Sequence, residues 1–201
     1  MKRLALAAAV LFLFSVPARA AIIFSDDFNT EHGGVGILNY NSFNNFTVTA
    51  GTVDLIGNGY FDFLPGNGLY VDLDGSTNDA GLLTSNALAL AAGSYVLSFD
   101  LAGSHRGQAE TVDALVFGGA DPSYAALQIV HASGDPFTRV AMSFIVPAGG
   151  DLVSFSFQDP SRDNIGMLLD NVELQSVPEP ATCLLFAAAL AAAWRRSATR
   201  A

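Results

Sequence analysis

The sequence predicts an all-β body, two sheets packed as a β-sandwich, flanked by a short apolar helix at each end of the chain. Three observations lead there. Between the termini no apolar period of 3.6 runs for any useful length, whereas short runs rich in Val, Phe, Tyr, Thr and Ile recur between Gly, Asn, Asp, Ser and Pro. Several of these runs alternate apolar and polar residues strictly. About ten such runs share a single domain's length of chain, which favours two packed sheets over one open sheet.

The first 20 residues, MKRLALAAAVLFLFSVPARA, have the three parts of a secretory signal peptide. Lys2 and Arg3 form the charged start, Leu4 to Val16 the apolar stretch, and Ala18-Arg19-Ala20 the small-x-small cleavage site. A membrane anchor needs roughly 20 apolar residues, and this run is shorter and ends in Pro17. Passage through the secretion machinery and cleavage by signal peptidase after Ala20 are therefore expected.

The β-sandwich domain is expected over residues 21–176. The run GSYVLSFDLAGS shows the alternation best, with Tyr95, Leu97, Phe99 and Leu101 on one face and Ser98 and Asp100 on the other. FTRVAMSFIV repeats it with Val140, Met142, Phe144 and Val146, and DLVSFSFQD with Val153, Phe155 and Phe157. AIIFS, FTVTAGTVDLIG (two strands meeting near Ala50-Gly51), GLYVDLD, ETVDALVFGG, YAALQIVHA and MLLDNVEL complete the set. ALALAA fits a short helix or a strand end equally well.

Charge divides the chain sharply. Residues 21–176 hold three arginines, Arg106, Arg139 and Arg162, against eighteen carboxylates, a net −15 without a single lysine. Such a surface repels phosphate backbones, which excludes nucleic acid as a partner, and favours solubility or cation binding. The one cysteine, Cys183, lies in the apolar tail, so the body has no internal disulfide and coheres by packing and hydrogen bonds, with or without a metal.

The tail, residues 177–201, opens with Val177-Pro178-Glu179-Pro180, a stiff extended spacer. Residues 181–194 carry no charge and end in Trp194, and Arg195, Arg196 and Arg200 follow. A 14-residue helix spans about 21 Å, short of the roughly 30 Å hydrocarbon core, but the boundary Trp and arginine cluster are the flanks of a transmembrane segment whose C-terminus stays cytoplasmic. The stretch VPEPATCLLFAAALAAAWRR resembles the PEP-CTERM sorting signal. That resemblance implies recognition by an exosortase, a membrane-embedded protease-transpeptidase of Gram-negative bacteria that cuts near the Pro-Glu-Pro box. The protein would be held transiently in the inner membrane, then delivered to the cell envelope or exopolysaccharide matrix.

The body resembles jelly-roll domains similar to carbohydrate-binding modules, through FSDDFNTEHGG near its start and GMLLDNVELQS at its end. In those domains a last-strand Asp-Asn-Val or Asp-Asp-Val often accompanies a structural calcium. Many bind sugars with tryptophan, whereas the single tryptophan here is Trp194 in the tail.

Candidate sites follow from residue chemistry. Asp170 is in phase with Leu168, Val172 and Leu174, so a carboxylate shares an apolar face; burying it calls for a metal, an arginine or several donors. Hard oxygen ligands suit Ca²⁺, and Asp26, Asp27 and Glu31 would lie near Asp170 if first and last strands pair; Asp27 and Asp170 are the expected ligands, with hydrogen bonds at a strand end the alternative. VDLDGSTNDAG resembles a calcium loop but lacks a twelfth-position Glu and flanking helices, so it is read as a solvated turn. In NGYFDFLPGNGLY, Tyr60, Phe61 and Tyr70 are suited either to stacking on a sugar ring or to the core, and Arg106 either to gripping a glycan or to an internal salt bridge. No G-x-S-x-G, H-E-x-x-H or phosphate loop occurs, and no body-domain cysteine. The expectation is a non-catalytic, exosortase-sorted protein with an extracellular polysaccharide as its ligand. A glycan-active hydrolase and a purely structural matrix protein are the alternatives.

Overall fold

Thirteen strands and one short 3₁₀ turn, Glu31–Gly34, are formed, in a computed structural model that describes residues 20–178 apart from residue 162. The predicted signal peptide, the tail segment with Glu179, Pro180, Arg195 and Arg196, and its membrane helix lie outside the described residues. Among the described residues no helix is long and apolar enough to cross a membrane.

In chain order the strands are β1 (Ile22–Asp26), β2 (Ile37–Tyr40), β3 (Phe46–Thr49), β4 (Val53–Gly57), β5 (Leu69–Asp72), β6 (Leu82–Ser85) and β7 (Leu88–Leu90). Then follow β8 (Gly93–Ala102), β9 (Glu110–Gly118), β10 (Ala125–His131), β11 (Thr138–Val146), β12 (Asp151–Gln158) and β13 (Leu168–Val177). One sheet has the order β11-β8-β13-β5-β4-β2, with β1 also on β13; the other runs β10-β9-β12-β6-β3, with β7 also on β12. The pairings described between strands are antiparallel. The segment ALALAA, left open between helix and strand, supplies β7.

The predicted alternation sets which side chains meet between the sheets. Tyr95, Leu97, Phe99 and Leu101 of β8, Met142, Phe144 and Val146 of β11, and Val153, Phe155 and Phe157 of β12 are all buried in one cluster. Phe24 ties β1 into it, edge-on to Phe155 at 5.2 Å and to Phe46 at 5.7 Å, while Phe99 meets Phe157 at 4.8 Å. Such edge-to-face pairs contribute about 0.5–1.5 kcal/mol each beyond the area they bury. The compact unit so formed is Ile22–Ser176.

First and last strands do pair: Ser25 faces Glu173 and Asp26 faces Val172. The phase expected for Asp170 is different, however. Leu169, Val172 and Leu174 belong to the main core, whereas Leu168 joins a second, smaller cluster with Ile56, Tyr70 and Ala102. Val172 follows Leu169 by three positions rather than two on the same face, with Asn171 at a φ of +48° where the alternation breaks. Asp170 therefore stands on the opposite face from Val172 and Leu174.

That second cluster lies on the outer face of the first sheet and explains why every residue of β4 and β5 is buried. On β5, Leu69 and Val71 enter the main core while Tyr70 points the other way; on β4, Val53 and Leu55 go inward and Ile56 outward. The loop between β4 and β5 folds back over this outer face with Phe63 and Leu64. Gly57 launches it at a φ of +109°, where an added Cβ would stand 2.1 Å from the carbonyl oxygen of Gly68.

Candidate functional site: a groove on the outer face of one sheet

Strand register builds the floor of the site. Ile56 lies opposite Tyr70 and Asp54 opposite Asp72 on β4 and β5, so outward-pointing positions give an apolar pair followed by a carboxylate pair. Leu38 of β2 extends the apolar side. Phe61 and Phe63 of the folded-back loop, Ser76 and Arg106 close a groove of about 240 Å³ over these residues.

Two aspartates directly opposite on one face repel, and the groove handles them differently. Asp54 accepts hydrogen bonds from the backbone N–H of Asn39 at 2.7 Å and from the N–H and hydroxyl of Ser76 at 3.1 and 2.7 Å. Asp72 is 2 % exposed, and burial pushes its carboxyl well above the usual range, with Asp54 adding to that rise. The Asp74 N–H at 3.2 Å and the Arg106 guanidinium at 3.7 Å oppose the rise. Arg106 also donates to the Asn164 carbonyl, which fixes it at the groove's edge.

The four residues expected to bind a ligand have different fates. Phe61 and Arg106 line the groove. Tyr60 stands beside it, edge-on to Phe61 at 4.9 Å. Tyr70 is fully buried beneath the loop: its hydroxyl accepts from the N–H groups of Phe63 at 2.7 Å and Leu64 at 3.0 Å and donates to Asp62 at 3.1 Å. As a face for stacking, Tyr70 is thus corrected to a loop anchor, its hydroxyl pKa pushed up to about 12 by burial first of all. Phe61 is the most telling member. It leaves 57 % of its surface exposed and holds a φ of +44°, a costly conformation for an aromatic residue.

Sequence reasoning missed Asp54, Leu38 and Ile56, because nothing local marks which strand will lie beside which. It read all of VDLDGSTNDAG as a solvated turn, which holds for Ser76, Asn78 and Asp79 but not for its first aspartates. Asp72 and Asp74 are 2 % and 0 % exposed, since the loop after β12 and Arg106 cover them.

The expected metal ligands lie where β1 meets β13. Asp170 is 2 % exposed, and its pKa is raised to about 7 by burial, then by Asp100, Asp27 and Asp26. The Asn171 N–H at 2.7 Å works against the rise. Asp27 is exposed and caps the Asn29 N–H at 3.1 Å. Glu31 is drawn away instead, accepting from the backbone and side-chain amides of Asn44 at 2.9 and 3.1 Å and from the Tyr40 hydroxyl at 3.3 Å. Hard carboxylate oxygens around one buried acid fit calcium chemically. Among the described residues no three His, Cys, Asp or Glu side chains already converge as a metal shell.

The fold is an all-β sandwich of two antiparallel sheets, and the solved structures it is similar to include carbohydrate-binding modules. The K3 cleaved adhesin domain of Lys-gingipain from Porphyromonas gingivalis w83 superposes with a TM-score of 0.53 at 18% identity, covering 79% of this chain and 100% of that one. The CBM22-1 xylan-binding domain of Xyn10C from Paenibacillus barcinonensis gives 0.53 at 12% identity, over 82% of this chain and 100% of that one. The CBM22-1-CBM22-2 tandem domain of the same protein gives 0.54 at 14%, over 80% and 51%. At these identities the likeness is one of fold. No curated protein matches the sequence. The PEP-CTERM protein-sorting motif matches residues 176–197, which marks an exported chain sorted by an exosortase in a Gram-negative bacterium.

Proposed function

We propose that this protein is a non-catalytic, glycan-binding component of the cell envelope or exopolysaccharide matrix, delivered there by signal peptidase and exosortase. The observation that carries the reading is Phe61, exposed at a strained backbone position over a groove whose other end holds Arg106 and two carboxylates. A sugar ring offers an apolar face to an aromatic side chain and hydroxyls to charged groups, and about 240 Å³ suits one ring of a longer polymer. Export in this reading uses residues 1–20, and the tail spans the inner membrane through residues 181–194 until cleavage near Pro178 to Pro180.

The carboxylate pair in the groove favours a hydrolase as the second reading, since glycosidases work with two acids. Asp54 is held by three hydrogen bonds, and Asp72 by the Asp74 N–H and Arg106, so both carboxylates already serve the fold. Calcium at Asp170, with Asp27 or Asp26 beside it, belongs to the proposal as a structural ion joining the two chain ends.

Affinity electrophoresis of the full-length protein in mild detergent, through gels containing the host's exopolysaccharide, tests the reading. Retardation is expected, and Phe61→Ala should weaken it roughly tenfold, about 1.4 kcal/mol of lost stacking. Release of reducing ends would favour the hydrolase. No retardation by any host polysaccharide leaves a structural matrix protein.

A further inference from the structure

A second group of acids sits where the loops after β5 and after β12 meet the first residue of β9. Asp74, Glu110 and Asp159 are 0 %, 4 % and 1 % exposed. Burial raises the pKa of all three; Glu110 is raised further by Asp159, Asp163 and Asp74, and Asp74 by Asp159, so the four carboxylates form one electrostatic group. Asp74 uses only one oxygen in the fold. Its Oδ2 accepts from the Ser161 hydroxyl at 3.2 Å and from the N–H groups of Asp163 and Asn164 at 3.2 and 3.0 Å. Its Oδ1 has no hydrogen-bond partner, and neither has Glu110 Oε1, although a Gln108 side-chain hydrogen bond to the Glu110 carboxylate opposes the rise in its pKa.

Among the described residues four buried side-chain polar atoms lack a hydrogen-bond partner, and the two that are carboxylate oxygens are these. Buried acceptors without donors are rare because their desolvation is uncompensated. The described arginines are committed elsewhere: Arg106 to Asp72 and Asn164, Arg139 to Asp100, Asn171 and Ser98. Asp159 and Ser161 also line a surface cavity of about 330 Å³ with Asp79 and Gln158.

We propose that Asp74 Oδ1 and Glu110 Oε1 bind a hard divalent cation, calcium above all, with Asp159 and Asp163 adding charge and water completing the shell. Calcium takes six to eight oxygens in a flexible geometry and accepts water among them, so two orphaned carboxylate oxygens suffice as its protein anchor. Among the described residues no three such side chains converge, so the protein would supply these two anchoring oxygens and water the rest of the shell. The ion ties the loops before β6 and before β13 to the start of β9.

The test is calcium titration by calorimetry of the chelator-stripped full-length protein in mild detergent at pH 8, together with Asp170→Asn, which removes the ion proposed at the β1–β13 junction. One calcium per chain is expected to bind Asp170→Asn and to raise its melting midpoint by several degrees. Asp74→Asn combined with Glu110→Gln should abolish that binding and melt higher than its parent in chelator, since two repelling charges are gone. Asp170→Asn without calcium heat at millimolar concentration overturns the site, whether or not the double variant folds, and so does undiminished binding in the double variant. Calcium leaving the Asp170→Asn midpoint unmoved while acidification from pH 8 to 5 raises it would assign the pair a shared proton and overturn the proposal. Loss of stability in Arg162→Gln, with calcium inert, would assign the counter-charge to that residue and equally overturn the proposal.

Discussion

Replacing Asp170 by asparagine is expected to stabilise the protein in chelator at alkaline pH, and the size follows from the site. Asp170 is 2 % exposed and faces Asp100, Asp27 and Asp26, so its pKa rises from 3.8 to about 7. Arg139 also approaches, but it is spent on Asp100 and the Asn171 carbonyl at 3.2 and 2.7 Å. A carboxyl whose folded pKa exceeds its unfolded value binds more protons when folded, so stability is intact near pH 4 and falls as pH rises to about 7. At roughly 1.4 kcal/mol per pKa unit, the ionised group costs on the order of 4 kcal/mol at pH 8. Asparagine has the same shape and keeps an oxygen for the Asn171 N–H, yet carries no charge. Urea denaturation of both full-length proteins in chelator, followed by circular dichroism at pH 4 and pH 8, reads the difference. Equal midpoints are expected at pH 4 and a gain of about 1–2 M urea for the variant at pH 8, taking a slope of about 2 kcal/mol/M. Calcium should narrow the gap by stabilising only the wild type. A variant no more stable than the wild type at pH 8 in chelator would refute the argument that Asp170 is an uncompensated buried acid.

Tyr70→Phe leaves the N–H groups of Phe63 and Leu64 without their acceptor; a loss of about 2–3 kcal/mol in denaturant midpoint and faster proteolysis between residues 58 and 68 are expected. Gly57→Ala forces a Cβ to within 2.1 Å of the Gly68 carbonyl oxygen at a φ of +109°, so it should cost more than about 3 kcal/mol or prevent folding, read by expression and thermal melting. Removing the host's exosortase should leave a longer, membrane-bound form that retains Cys183, visible by mass spectrometry; the same retained tail in normal cells would count against tail removal.

Much of the fold was legible in short-range pattern. Strict alternation in β8, β11 and β12 identified both the strands and their buried faces, because side chains on a pleated strand alternate whatever lies beyond them. β2 and β6 were not legible, being four-residue strands whose stability comes from neighbours distant in sequence. The phase at Asp170 failed for a related reason. The positive φ of +48° at Asn171 puts Leu168 and Val172 on opposite faces of β13, and a period-two reading carries straight through it.

What the sequence determined by itself is the set of properties that depend on composition and adjacency: an acidic β-rich body without lysine, and a Pro-Glu-Pro tail with basic flanks read as an address. It also singled out Phe61 and Arg106, each with two roles left open, because aromatics beside glycine and rare cations stand out locally; their place along one groove came from the structure. Tertiary structure alone decided that Asp54 lies opposite Asp72, that Tyr70 is sealed under its own loop, and that Asp74 and Glu110 are buried. The physical reason is that burial and charge repulsion depend on distance in space. Asp74 and Asp163 are 89 residues apart in the chain, and only the closing of the sandwich brings the Asp163 N–H to 3.2 Å from the Asp74 carboxylate.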